Sequence, residues 1–339
     1  MRKPVGSMAR PPDTVPWRKK AAGELLDRVC RVIASFLPIW LLAAVGYLAG
    51  RTRILGDQGE LVLGRFVFHI AMPASLFATL SGAKLDRFSG WAIVTFAAGT
   101  VSTCLIGFAA SRWVFGRDLG DQAIGGMTSG YVNSANLGIP VAVQLLGDTS
   151  FIVSVMLFQV LIVTPVVLTV IDVHNGEGRR IRVRDLLLLP ARNPIIVACV
   201  LGVVVDALGW RLPQQVLDPC RLLGAAAVPA ALVTLGMSLH GRTAEAGPRT
   251  RGEVTVAVLL KIVIQPCVAF VLGRYAIHLS RTDLLAVVVC SALPTAQNVF
   301  IFAREYGLRT ALVRNAIVAS SALSMLSLLL ATWLLGPHA

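Results

Sequence analysis

An all-α integral membrane protein is the fold class this sequence predicts, with ten transmembrane helices in two inverted five-helix repeats and helices four and nine broken where they meet. Three observations carry that expectation. Only 14% of the 339 residues are charged and 55% are apolar, whereas a soluble domain carries roughly 25% charged residues. Too little polar surface remains to coat a globule in water. Ten apolar runs follow one another along the chain, most of them near the ~20 residues that span a bilayer. Similar segments then recur at a nearly constant spacing in the two halves.

The chain begins with a polar, basic tail (1–28), containing Pro4, Pro11, Pro12, Pro16 and the triplet Arg18-Lys19-Lys20. Its composition predicts no packed structure. The apolar run that follows lacks a small-x-small cleavage pattern, so the start does not read as a signal peptide. The first repeat (29–172) holds runs at 30–49, 61–81, 90–111, 122–146 and 150–171. A loop (173–193) carries Arg179, Arg180, Arg182, Arg184 and Arg192. The second repeat (194–335) holds runs at 194–209, 217–239, 254–277, 284–303 and 311–335. Trp91, Trp113, Trp210 and Trp333 fall near run ends, as interfacial anchors do.

Connections after odd-numbered runs carry most of the Lys and Arg. The positive-inside rule therefore places the 173–193 loop in the cytoplasm and both termini outside. The basic tail then lies on the outer side, against the same rule. The net charge of +13 lies in the tail and in these connections. Aromatics do not interleave with it as a nucleic-acid groove requires, so no nucleic-acid partner is expected. The six cysteines are scattered singly, which implies neither a metal cluster nor a disulfide framework. No metal or organic cofactor is expected.

Repetition sets the architecture. Ala71-Met72-Pro73-Ala74-Ser75-Leu76 in run two resembles Ala227-Val228-Pro229-Ala230-Ala231-Leu232 in run seven, and Leu146-Gly147 in run four corresponds to Tyr306-Gly307 in run nine. Five spans per half is an odd number, so the halves must be inverted relative to one another. Inverted repeats with interrupted helices are a common plan of secondary transporters.

The candidate site residues lie in runs four, eight and nine. Run four contains Gly130-Tyr131-Val132-Asn133-Ser134-Ala135-Asn136-Leu137-Gly138-Ile139-Pro140. Pro140 lacks a backbone donor and its ring crowds the carbonyl of Asn136, so a break is expected around Asn136–Pro140. Exposed backbone at membrane depth survives only against protein or a cavity. The half-helix beyond a break points partly positive N–H groups at that cavity, which suits a carboxylate. Run nine repeats the idea with Pro294, Thr295, Gln297 and Asn298. Run eight holds Lys261 and, four residues on, Gln265 on the same helical face. An ammonium inside a span is costly and marks function by default. The expected substrate-binding set is thus Asn133, Asn136, Gly138, Pro140, Pro294, Thr295, Gln297, Asn298, Lys261 and Gln265.

Enzyme signatures are missing. There is no H-E-x-x-H, no phosphate-binding loop and no paired Asp at helical spacing within a span.

These residues resemble the auxin efflux carrier family. The resemblance rests on Leu37-Pro38-Ile39 with Gly46-Tyr47-Leu48, Ile54-Leu55, Pro73, Asn133 to Gly147, Lys261 to Pro266, and Leu293-Pro294-Thr295-Ala296-Gln297-Asn298 through Tyr306-Gly307. It covers about 32–335, nearly all the chain beyond the tail. It implies ten helices in inverted repeats, with helices four and nine crossing at prolines. It also implies a homodimer built on spans 1, 2, 6 and 7, and a mobile unit of spans 3–5 and 8–10. Bacterial members resemble malonate and other organic-acid carriers. The expected function is transport of small mono- or dicarboxylates by alternating access in a cell membrane, a bacterial inner membrane by this reading. The partners are membrane lipids, the acid, and a coupled proton or sodium ion. The alternatives are a non-transporting receptor or partner subunit with a degenerate pocket and, more weakly, an intramembrane lipid enzyme. The chain departs from the plant carriers in having no large central cytoplasmic domain.

Overall fold

The computed structural model describes residues 36–82, 90–147, 150–175, 193–210, 212–240 and 248–335. The tail 1–28 and the arginine-rich stretch 176–192 lie outside the described residues. Among the described residues the architecture is helical throughout, with one isolated bridge between extended residues and no strand. In chain order the helices are α1 (Phe36–Thr52), α2 (Gly59–Leu80), α3 (Gly90–Trp113), α4 (Leu119–Gly130), α5 (Ser134–Leu146) and α6 (Ser150–Val173). Then come α7 (Pro194–Ala207), α8 (Gln214–Ser238), α9 (Arg249–Ala276), α10 (Arg281–Ser291), α11 (Asn298–Glu305) and α12 (Thr310–Leu335).

Six of these, α2, α3, α6, α8, α9 and α12, are long and apolar enough to cross a membrane. Their outward faces are greasy: Val101 and Leu105 on α3, or Leu323, Leu326 and Leu330 on α12, are exposed. This is what hydrocarbon requires of a lipid-facing helix. α1, α5 and α7 are apolar but shorter. Runs four and nine each appear as two helices, α4 with α5 and α10 with α11, separated by short non-helical segments.

Proline explains a second regularity. Four of the six wide π turns among the described residues, Val67–Ala71, Ser134–Gly138, Gln159–Val163 and Leu260–Ile264, each end two residues before a proline: Pro73, Pro140, Pro165 and Pro266. The carbonyl that each proline ring would strike belongs to residue i−4, the third residue of its turn. Widening the turn moves that carbonyl aside, so the helix continues through the proline. One displaced carbonyl, that of Ile262, accepts a hydrogen bond from Ser327 Oγ on α12 at 3.1 Å.

This corrects the expected position of the first break. Pro140 does not break run four, because the π turn over Ser134–Gly138 absorbs it. The interruption lies upstream, at Tyr131-Val132-Asn133. In run nine the break contains its proline, Pro294, as expected.

Helix ends follow local chemistry. Asp118 Oδ1 caps α4 through the Asp121 N–H, and Ser280 Oγ caps α10 through the Asp283 N–H. Gly147 and Gly307 end α5 and α11 with positive φ of 70° and 65°, which glycine adopts without strain. Small residues let backbones approach: a Cβ added at Gly126 would lie 2.7 Å from the Cys104 carbonyl, so α3 and α4 pack backbone to backbone.

Polar contacts tie the elements together along one rim. Glu60 on α2 pairs with Arg304 on α11, and His69 Nε2 lies 3.6 Å from Glu305. Asn193 Nδ2 donates to the Tyr306 hydroxyl at 2.9 Å, and Arg314 Nη1 to the Ser238 carbonyl at 2.7 Å. Glu253 at the start of α9 holds both Arg117 and Arg309.

Candidate functional site

The two interrupted segments meet. Val132 and Thr295 form an antiparallel bridge. The Asn133 N–H donates to the Pro294 carbonyl at 2.9 Å, and the Ala296 N–H to the Tyr131 carbonyl at 3.2 Å. Backbone released by one break is thereby satisfied by the other, which unwound chain at membrane depth demands.

The remaining freed groups are satisfied by buried side chains. Gln159 on α6, fully buried, accepts from the Val132 N–H at 2.7 Å and donates to the Val132 carbonyl at 3.0 Å. It also donates to Ser134 Oγ at 2.9 Å. Thr295 Oγ1 donates to the Thr128 carbonyl at 2.8 Å, while the Thr295 N–H donates to Ser320 Oγ at 3.2 Å. The Tyr131 hydroxyl lies 3.0 Å from Thr164 Oγ1.

Lys261 and Gln265 reach the C-terminal ends of the same half-helices. Lys261 Nζ donates to Gln265 Oε1 at 2.5 Å and to the carbonyl of Ser291, the last residue of α10, at 3.1 Å. Gln265 Nε2 donates to Thr100 Oγ1 at 3.0 Å and to the carbonyl of Gly130, the last residue of α4, at 3.1 Å. Both side chains are fully buried.

The N-terminal ends differ from one another. Asn133 Oδ1 accepts from the Asn136 N–H at 3.4 Å and so caps α5. α11 has no side-chain cap. Its N-cap residue, Gln297, is 1% exposed, and neither its carboxamide oxygen nor its nitrogen has a hydrogen-bond partner. Leaving such groups unpaired costs about 1–3 kcal/mol each. An uncapped helix N-terminus beside a free carboxamide offers donors to an anionic oxygen.

Nine of the ten expected residues lie in or next to this crossing, and Pro140 sits in the second turn of α5. Asn136, Pro140 and Asn298 are half-buried, and Asn133, Gly138, Pro294 and Thr295 are buried. Gly138 is a packing position: an added Cβ would lie 2.7 Å from Ile152 Cγ1 and 3.2 Å from Leu293 Cδ1. Gln159 and Ser320 were not expected. A glutamine inside the apolar run 150–171 is the signal that could have singled out Gln159.

Comparison with known proteins decides the family. The profile of the family described as "Membrane transport protein" matches residues 31–183 and 179–332. The chain belongs to this family. It is the auxin efflux carrier family that the crossing motifs resemble. An uncharacterized transporter of Methanothermobacter thermautotrophicus is 27% identical over 87% of this chain and 95% of its own length. A Rhizobium meliloti protein named "Putative malonate transporter" is 24% identical over 82% of this chain and 88% of its own. Auxin efflux carrier component 8 of Arabidopsis thaliana is 20% identical over 86% of this chain and 93% of its own. This member of the membrane transport protein family is thus a multi-pass membrane protein with a role in transport.

Proposed function

We propose that the chain is a secondary carrier that moves small organic anions by alternating access, with the crossing of the two broken helices as its binding site. On this reading ten spans form two inverted repeats, 29–172 and 194–335, and two copies pair as a homodimer. The observation that carries it is Gln297, a buried carboxamide without partners at the uncapped N-terminus of α11. Asn133, Asn136 and Asn298 surround the same crossing with further amides. Two relatives are named for malonate and auxin, both carboxylates. Export of an anion can run on the membrane potential alone, at about 2.3 kcal/mol per charge per 100 mV. Import against that field needs a coupled cation.

Uptake and efflux of radiolabelled mono- and dicarboxylates in proteoliposomes test the reading. Flux of at least one acid that Gln297→Leu abolishes is the expected result. Ligand binding with no flux of any acid would instead make the chain a receptor.

A further inference from the structure

The half-helix C-termini at the crossing already hold a lysine amine, and it belongs to the chain. α4 ends at Gly130 and α10 ends at Ser291. Each helix C-terminus carries the equivalent of about −0.5 elementary charge, so together they present about one negative charge to whatever lies between them. Lys261 Nζ touches the Ser291 carbonyl directly and reaches the Gly130 carbonyl through the Gln265 carboxamide. Lys261 is fully buried, and among the described residues no carboxylate pairs with it. When the amine is protonated, the two helix ends supply its counter-charge.

Carbonyls at half-helix C-termini are what secondary transporters use to coordinate a sodium ion. The atoms that Lys261 Nζ holds match that chemistry: the Ser291 carbonyl and Gln265 Oε1. We propose that Lys261 fills a latent monovalent-cation site at the crossing, its ammonium standing where a transported sodium ion would otherwise bind. The wild-type chain then needs no sodium, and shortening Lys261 opens the site. This goes beyond the anion reading and is independent of it, because the cation faces the C-terminal ends of α4 and α10 rather than the N-terminal ends of α5 and α11.

The test uses the purified full chain and no organic substrate. Thermal unfolding is followed in sodium, potassium and choline chloride at equal ionic strength. Wild type should unfold at one temperature in all three. Lys261→Ala should unfold earlier than wild type in choline and recover by a saturable, sodium-selective shift. Lys261→Ser, which is short and adds a hydroxyl oxygen, replaces it if the alanine variant does not fold, with the same sodium response expected. Lys261→Arg retains the charge and should stay indifferent to sodium. A saturable sodium response of wild type, or cation-indifferent unfolding of a folded neutral variant, overturns the proposal. Failure of the carrier to move any anion would leave all of these readouts untouched, so the two readings fail separately.

Discussion

Gln159 closes both backbone hydrogen bonds of one residue: its carboxamide accepts from the Val132 N–H at 2.7 Å and donates to the Val132 carbonyl at 3.0 Å. A side chain from α6 thus does for Val132 what a neighbouring strand would do. On the other side of the same segment, Thr295 supplies the bridge. The interruption of run four is clamped from two directions, so a fixed unwound geometry persists at membrane depth. Gln159→Leu should therefore destabilise the protein by about 1–3 kcal/mol for each orphaned group. The expected readout is a lower unfolding temperature together with reduced flux. An unchanged midpoint would show that the bridge to Thr295 suffices alone.

The rim contacts predict coupling between distant parts of the chain. Glu60 on α2 and Arg304 on α11 keep only 22% and 16% of their side chains exposed, so a lone survivor of the pair is poorly solvated. Glu60→Gln and Arg304→Gln should each destabilise by about 1–2 kcal/mol. The double variant should lose less than the sum, with a coupling energy of about 0.5–3 kcal/mol in a double-mutant cycle. Strict additivity would mean that the pair contributes nothing.

Some of this was legible in the sequence and some was not. Lys261 and Gln265 stand out because each is an expensive residue inside an apolar run, and the structure finds both buried against the crossing. Pro294 sits in the second interruption because no wide turn precedes it. Pro140 misled for the opposite reason: the π turn over Ser134–Gly138 moves the Asn136 carbonyl away from its ring, so the helix runs on through it. The pairing of Val132 with Thr295 joins residues 163 positions apart, and no periodicity encodes it. The contrast between a capped α5 and an uncapped α11 depends on rotamers of Asn133 and Gln297, which sequence spacing does not fix.

Orientation is open to direct measurement. The five arginines of 179–192 are expected on the cytoplasmic side, with the C-terminus outside. An alkaline phosphatase fusion after α12 should be active and a fusion within 175–185 inactive. The reverse pattern would invert the whole assignment.

Asn133 and Asn136 separate architecture from recognition. Asn133 caps α5, so Asn133→Ala should cost about 1 kcal/mol of stability along with activity. Asn133→Asp keeps the capping oxygen and adds a negative charge that a helix N-terminus welcomes. Burial of the new carboxylate offsets that gain, so its stability should lie near that of Asn133→Ala, while an anion at the crossing should be repelled and flux abolished. Asn136 is half-buried, and the cap uses its backbone N–H rather than its amide. Asn136→Ala should leave the unfolding temperature unchanged and lower flux if the amide contacts substrate. Pro140→Ala completes the set. The interruption at Tyr131-Val132-Asn133 is held by Gln159 and by the bridge to Thr295 rather than by Pro140. Alanine should then regularise the turn over Ser134–Gly138 without closing the break, and flux should survive. If Pro140→Ala abolishes flux while Asn133→Asp leaves it intact, the anion is held by the shape of that turn and not at the crossing.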